Sequence, residues 1–470
     1  MSIRIQHLNF SYFEDRKDIL SDLSAEFDAS EITILTGASG CGKSTLLYLA
    51  AGIYPHNAGV LRHGTLEVEG IRPDSLVPKE RCALVGMMFQ NPELQFCMDT
   101  VEHELLFCLE NICTPRENMM AQVEEALAFC EIPHLKERTL QSLSGGERQK
   151  VMLACLTLLS PKWLLLDEPF ANIDDASARM IAKKLKELNR TRGMGILAVD
   201  HRLENWLGIA DQVRVMENGM LRPEIMEANT LDPELLKRLG VIVPKEAYAP
   251  KLPEATAGEV VLELRDLMLR HQGNIIFQNV NAKFRSGCIY AILGESGCGK
   301  SSLFGALSGI YAYQGQALLQ GTELRRQKKK DLGKIGFVTQ NPQDQFVSDT
   351  VKEEILVGLK KQEDAEKKTE EILRGIKLWR YRDISPYMLS QGQQRRLGVA
   401  ALMAYPCKVL VCDEPTYAQD RNNTMAIMEA LCRQAREHDV ALIFSTHDRQ
   451  LAKDYADVIL EMKGGSLCEH

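Results

Sequence analysis

The sequence predicts an α/β chain of two similar domains in tandem, each built on a mainly parallel sheet. Three observations carry this: the length, a set of ordered marks that occurs twice, and short apolar runs that alternate with helical stretches. A chain of 470 residues is too long for one ordinary core and suits two domains of about 200 residues each. Apolar residues make up 45% and charged residues 26%, near the globular average, so each half can bury a core.

The repeat is the most informative feature. Gly37 recurs as Gly294, 257 residues on, Gln90 as Gln340, 250 on, and Leu143 as Leu389, 246 on. Asp167 and Asp413, then His201 and His447, keep the spacing of 246, so the deletions fall early, in surface loops. Between the halves, residues 223–258 carry Pro233, Pro244, Pro250 and Pro253 with little apolar periodicity toward the end. That stretch reads as a linker between domains at 1–222 and 259–470. Within the halves, Ile32–Leu35, Leu164–Leu166, Ile196–Val199, Ile289–Leu293, Val409–Cys412 and Ala441–Phe444 are predicted as buried parallel strands joined by crossover helices.

Several classes are set aside by composition. The most apolar run, Val151 to Leu159, ends at Ser160-Pro161-Lys162, short of the roughly 20 residues a spanning helix needs. MSIRIQHLNF lacks the pattern of a secretion signal, so the cytosol is the expected compartment. Thirteen cysteines without a C-x-x-C pair read as free thiols, mostly small buried hydrophobes. A net charge of −8 argues against a nucleic-acid partner.

Two segments carry phosphate chemistry. Gly37, Ala38, Ser39, Gly40, Cys41, Gly42, Lys43, Ser44 and Thr45 spell one P-loop; Gly294, Glu295, Ser296, Gly297, Cys298, Gly299, Lys300, Ser301 and Ser302 spell another. Each follows a strand and opens an apolar helical run, the context the motif requires. Glycines let successive amides turn inward onto phosphate oxygens, and the helix adds its positive end. Lys43 and Lys300 are expected at the β- and γ-phosphates, and Ser44 and Ser301 on Mg²⁺. A plain glycine-rich turn would explain one such loop but not two in register.

WLLLDEP and VLVCDEP put Asp167-Glu168 and Asp413-Glu414 at strand ends, where a doubly wound sheet presents its binding edge. Asp167 and Asp413 are expected to hold Mg²⁺, and Glu168 and Glu414 to act as general bases toward water. Alone, such acids more often cap a turn; behind a P-loop the catalytic reading is favoured. Gln90 and Gln340 end strand-like segments and could meet metal or water. His201 and His447 follow further apolar strands and fit a γ-phosphate contact, although a lone strand-end histidine is more often structural. Ser144 to Glu147 and Ser390 to Gln393 fit the S-x-x-E/Q capping box, so LSGGERQ and LSQGQQR each open a helix. The plain reading is a well-capped helix; the functional one adds that a serine, glycines and bare amides at that end make a second anion site.

In order and twice, these marks resemble the ATP-binding-cassette family over nearly the whole chain outside the linker. The resemblance implies two P-loop NTPase domains, each with an antiparallel β subdomain and a helical subdomain beside the parallel core. It also implies a head-to-tail pairing of the halves as an internal pseudo-dimer. Lys43, Ser44, Gln90, Asp167, Glu168 and His201 would then be completed by Ser390 and Gly392. Lys300, Ser301, Gln340, Asp413, Glu414 and His447 would be completed by Ser144, Gly145 and Gly146. Tyr12 stands where the family stacks an aromatic on adenine, and His271 occupies the matching place in the second half. Gln391 replaces the first glycine of the signature, which predicts unequal sites.

QNPELQF with DTVEHEL, and QNPQDQF with DTVKEEI, are similar to the ATPases of energy-coupling-factor importers. That implies an ATPase at the cytoplasmic face of the membrane, with an integral scaffold subunit and a substrate-capturing subunit as partners. The coupling contact would lie beside the Q-loops, and the cargo would be a vitamin or metal ion. VDHRLEN resembles fused members that suggest thiamine or its pyrimidine precursor. The rival readings are a soluble tandem cassette acting on ribosomes, a sugar or peptide importer ATPase, and a regulatory scaffold that binds ATP only. The basic run Arg325 to Lys330 is read as a solvated loop tip, with an anionic-lipid contact as the alternative.

Overall fold

The structure is a computed structural model. It describes the chain outside residues 15–16, 172, 229–230, 239–240, 242–246, 249, 251–257, 272, 296, 327–333, 340, 361, 417–418 and 470. Ser296, Gln340, most of the basic run and much of the proposed linker therefore lie outside the described residues, as does the side chain of Gln391. Two compact units emerge, Met1–Pro244 and Lys245–His470.

The first unit runs β1 (Ser2–Ser11), β2 (Leu20–Asp28), β3 (Ile32–Thr36), α1 (Lys43–Ala50), β4 (Val60–Val68), α2 (Pro78–Leu84), β5 (Val85–Met88), α3 (Val101–Asn111) and α4 (Arg116–Phe129). It continues with α5 (Gly145–Leu159), β6 (Trp163–Asp167), α6 (Asp175–Arg192), β7 (Gly195–Val199), β8 (Gln212–Glu217), β9 (Met220–Glu227) and α7 (Pro233–Arg238). Its main sheet has the order β5-β6-β7-β3-β8-β9, parallel throughout except for the last pair. A separate antiparallel sheet, β2-β1-β4, packs beside it.

The second unit repeats the plan with β10 (Val260–His271), β11 (Asn274–Arg285), β12 (Ile289–Leu293), α8 (Lys300–Leu307), β13 (Gln314–Leu319), β14 (Thr322–Glu323), β15 (Ile335–Val338) and α9 (Val351–Leu359). There follow α10 (Ala365–Gly375), α11 (Gln391–Met403), β16 (Val409–Cys412), α12 (Arg421–Glu437), β17 (Ala441–Thr446), α13 (Arg449–Tyr455), β18 (Val458–Lys463) and β19 (Ser466–Glu469). Its sheets have the orders β15-β16-β17-β12-β18-β19 and β11-β10-β13-β14. All six predicted strands are present, and their near-continuous apolar stretches are buried because helices cover one face and α1 or α8 with the antiparallel sheet covers the other.

One boundary differs from the sequence reading. Strand β9 extends to Glu227 and α7 occupies Pro233–Arg238, both inside the stretch assigned to the linker. The prolines misled because Pro223 sits in an edge strand, which tolerates a missing donor, and Pro233 starts a helix, where its amide is not needed. Leu236 and Val241 are buried against the first unit's core. Farther on, Tyr248 docks on the second unit, its amide donating to Asp454 at 2.6 Å and its ring lying under Arg421.

The repeat extends to backbone detail. His7 and Asp266 share a left-handed φ near 48° and 47° midway along β1 and β10, and His271 follows Asp266 at the same spacing as Tyr12 follows His7. Tyr12 lies edge-on to Tyr54 at 5.8 Å, and His271 edge-on to Tyr311 at 6.3 Å. The same aromatic corner is thus built twice, once with an imidazole.

Candidate functional site

In each unit the candidate residues gather at the carboxyl ends of the parallel strands. The first P-loop follows β3, Gln90 lies just past β5, Asp167 ends β6, and His201 follows β7. These strands are neighbours in one sheet, so parallel pairing alone brings four distant segments to one edge. The second unit does the same with β12, β16 and β17.

The loops need their glycines. Gly37 has φ 139° and Gly42 φ 108°; a Cβ on Gly37 would stand 2.1 Å from the Met216 carbonyl oxygen, and one on Gly42 2.7 Å from Leu20. No side chain fits there, so the backbone curls as the sequence reading requires. Lys43 is buried, with Nζ donating to the carbonyls of Gly37 at 2.8 Å and Ala38 at 2.9 Å. Lys300 does likewise to Gly294 at 2.7 Å and Glu295 at 2.9 Å. Each ammonium is therefore held inside its own loop, where phosphate oxygens would compete with neutral carbonyls for it. Thr45 Oγ1 lies 2.8 Å from the Tyr12 hydroxyl, tying the aromatic corner to the loop.

Ser44 Oγ donates to Asp167 Oδ1 at 3.1 Å, and Ser301 bonds Asp413 in the second unit. A hydroxyl and a carboxylate oxygen this close can share one octahedral cation. The glutamates that follow, Glu168 and Glu414, have φ of 48° and 46°, a conformation that costs a non-glycine residue and persists only where the surroundings impose it. Both side chains are largely but not fully buried, 13% and 12% exposed, and Glu414 Oε2 has no protein partner. Lone pairs left open beside a Ser-Asp pair and a buried lysine fit a magnesium-bound triphosphate and its attacking water.

The two units differ in charge. In the first, burial and then the charges of Asp167 and Asp200 push Glu168 up to about 8; burial takes Asp167 to about 6. His201 is driven well down by burial and by Lys43. Its Nε2 stands 3.3 Å from Glu168 Oε1. Gln90 completes the cluster, its amide donating to Glu168 Oε2 at 2.7 Å. In the second unit burial again opposes the charge on Glu414. Here His447, whose Nδ1 stands 3.7 Å from Oε1, together with Lys300 and Arg395 outweighs it, and the net shift is downward.

At the other repeated turns, Ser144 and Ser390 are N-caps of α5 and α11 with both arms of the capping box formed. Gly145, Gly146 and Gly392 lie in the first helical turn. A Cβ on Gly146 would approach Ser177 Oγ to 2.8 Å.

Sequence reasoning missed the residues that brace these groups. Gln95 accepts from the Phe89 amide at 2.7 Å and donates to the Met87 carbonyl at 2.8 Å, and Gln345 accepts from the Thr339 amide at 3.3 Å. Glu104 accepts from the amides of Cys97 and Met98, and Glu354 from those of Val347 and Ser348. The doubled Gln and Glu were visible in the repeat, yet bracing leaves no motif of its own. Asp200, buried and bonded to the Trp206 indole at 2.8 Å, has Thr446 as its counterpart. Ser445 holds Asp413 at 2.6 Å where the first unit has Val199. Neither difference could be weighed from the sequence.

In the first unit a groove of about 430 Å³ opens beside the Gln90 segment, lined among others by Phe89, Gln95, Phe107, Arg81 and Met152. All thirteen cysteines are free. Among the described residues, no helix is long and apolar enough to cross a membrane.

Comparison with known proteins places this geometry. The family described as ABC transporter matches residues 20–171 and 277–417. The putative HMP/thiamine import ATP-binding protein YkoD of Bacillus subtilis is 35% identical, covering 97% of this chain and 89% of that one. A putative ABC transporter ATP-binding protein of Methanosarcina mazei is 31% identical, covering 99% and 94%. Among solved structures, an RNase-L inhibitor matches with a TM-score of 0.63 at 19% identity, covering 98% of this chain and 90% of that one. An archaeal ribosome recycling factor, solved in complex with a ribosomal stalk protein, matches with a TM-score of 0.63 at 18% identity, covering 98% and 89%.

Proposed function

The chain belongs to the ATP-binding-cassette family of ATPases, as a tandem of two such domains, and from that premise we propose that it drives a membrane importer of the energy-coupling-factor kind. The single observation that carries the importer reading is the likeness to the putative HMP/thiamine import protein over nearly the whole length of both chains. The cargo class follows from the same relative: a vitamin of the thiamine group.

The chemistry follows from the site. Mg²⁺, held by Ser44 and Asp167 in one unit and by Ser301 and Asp413 in the other, would neutralise the charge that develops on the transferred phosphoryl oxygens. Lys43 and Lys300 exchange loop carbonyls for the β- and γ-phosphates. Tyr12 and His271 stack on adenine, the imidazole with less area. Glu168 and Glu414 take the proton of the attacking water, positioned by Gln90 and Gln340 and by His201 and His447. Ser144, Gly145 and Gly146, with Ser390 and Gly392, supply hydroxyls and helix-end amides to a γ-phosphate. The groove beside Gln90 is the surface through which a membrane subunit would sense this chemistry, since Phe89 and Gln95 line the groove and sit on the same loop as Gln90.

Action on ribosomes is the alternative that the structural neighbours bring to mind. Those neighbours are under 20% identical, which speaks to the fold alone, and the net charge of −8 favours a partner other than nucleic acid. Affinity purification of the full chain from detergent-solubilised membranes separates the two. The reading expects polytopic subunits in fixed stoichiometry, released by Phe107→Asp while ATP binding persists. Recovery of ribosomal particles in their place would overturn it.

A further inference from the structure

The wall of the first unit's groove holds a group of side chains that ATP chemistry does not use. Glu104 and Cys108 stand one turn apart on α3, on one face of the helix, and Cys155 faces them from α5. One carboxylate oxygen and the two sulfurs lie within 4.8 Å of one another. Glu104 and Cys155 are buried, Cys108 is half-buried, and all three line the groove of about 430 Å³. Water and ions therefore reach a carboxylate and two thiols that otherwise sit in an apolar wall.

The bland explanation is a bracing glutamate beside two small hydrophobes, and the internal repeat separates the two parts of it. Glu354 repeats Glu104's bracing bonds in the second unit. The thiols are not repeated: α9 has Gly358 and α11 has Ala401 at the corresponding positions. Packing and bracing are thus met without sulfur, and the two cysteines are a property of the first unit alone. Glu104 makes both bracing bonds through Oε2, and a carboxylate has further lone pairs to offer.

We propose that Glu104, Cys108 and Cys155 form a binding site for a thiophilic divalent cation of the zinc class, with water from the groove as fourth ligand. Zn–S distances of about 2.3 Å and Zn–O distances of about 2.0–2.2 Å put tetrahedral ligand atoms roughly 3.5–3.8 Å apart, so closing the observed spread takes small side-chain rotations. Binding exchanges two S–H protons for two metal–sulfur bonds, with no redox change, and releases both protons to solvent. The ion would clamp α3 to α5 at the edge of the groove. The site stands independently of what occupies the groove.

The test is titration of the full-length, reduced protein with Cd²⁺, following sulfur-to-metal charge-transfer absorbance, with Zn²⁺ as competitor. One tight equivalent is expected, abolished by Cys155→Ala, the residue the second unit carries there, and by Cys108→Ala. Glu104→Gln should weaken it by roughly 10-fold or more. Cys97→Ala and Cys113→Ala, which remove exposed thiols, should leave it unchanged, and ATP binding by every variant serves as the check on folding. Proton release of two per ion in weak buffer should accompany the signal. Absence of a stoichiometric site, or a signal that survives Cys108→Ala with Cys155→Ala or depends on the exposed thiols, would overturn the proposal.

Discussion

The side-chain amide of Gln90 donates a 2.7 Å hydrogen bond to Glu168 Oε2, so the residue just past β5 grips the residue just past β6. That bond crosses from the groove side of the unit to its chemical centre. Gln90→Ala should therefore act through Glu168, lowering kcat by roughly 10-fold, less than the 10²–10⁴ a general base itself contributes. ATP affinity should stay within about threefold. Steady-state hydrolysis and equilibrium ATP binding, measured together, check the split.

Burial holds Glu168 at about 8 against an ordinary value of 4.5. A carboxyl raised on folding stabilises the fold fully below its unfolded value, and that contribution is lost as pH rises through the folded value. Thermal unfolding without nucleotide or magnesium should thus show the first unit weakening from about pH 5 to pH 9. Glu168→Gln should flatten that decline and raise the melting temperature near pH 8 by about 2–4 °C or more, the shift that 1 kcal/mol gives a domain of this size. Glu414, shifted downward, predicts no such gain for Glu414→Gln.

Lys43 and Lys300 each sit in their own loop, so the two nucleotides are separable. Lys43→Ala or Lys300→Ala should halve the ATP stoichiometry seen by calorimetry, leaving one site at its parent affinity.

Tyr12 and His271 fill the same corner with different rings. Base–aromatic stacking is worth about 1–3 kcal/mol, so Tyr12→Ala should weaken ATP binding by roughly 5- to 150-fold. His271→Ala should cost less, as read by binding of a fluorescent ATP analogue to variants with the other site disabled.

Much of this was legible in the sequence, because a P-loop, an Asp-Glu pair and a capping serine each use local backbone chemistry that few residues can supply. The parallel strands were equally plain as apolar runs. What stayed hidden depends on neighbours far along the chain: the brace from Gln95 to the Phe89 amide, the third buried carboxylate at Asp200, and Ser445 holding Asp413. The linker was overdrawn for the opposite reason. Prolines at 223 and 233 look like breaks until the edge strand and the helix start that accept them are seen.

The central claim is that Glu168 and Glu414, both at positive φ and largely buried, are the bases of two ATP-hydrolysing sites. ATP turnover by the full chain carrying Glu168→Gln and Glu414→Gln together tests it most directly. The account predicts hydrolysis reduced by at least roughly 10², with ATP retained uncleaved at both P-loops. Turnover within about twofold of the parent protein would contradict it.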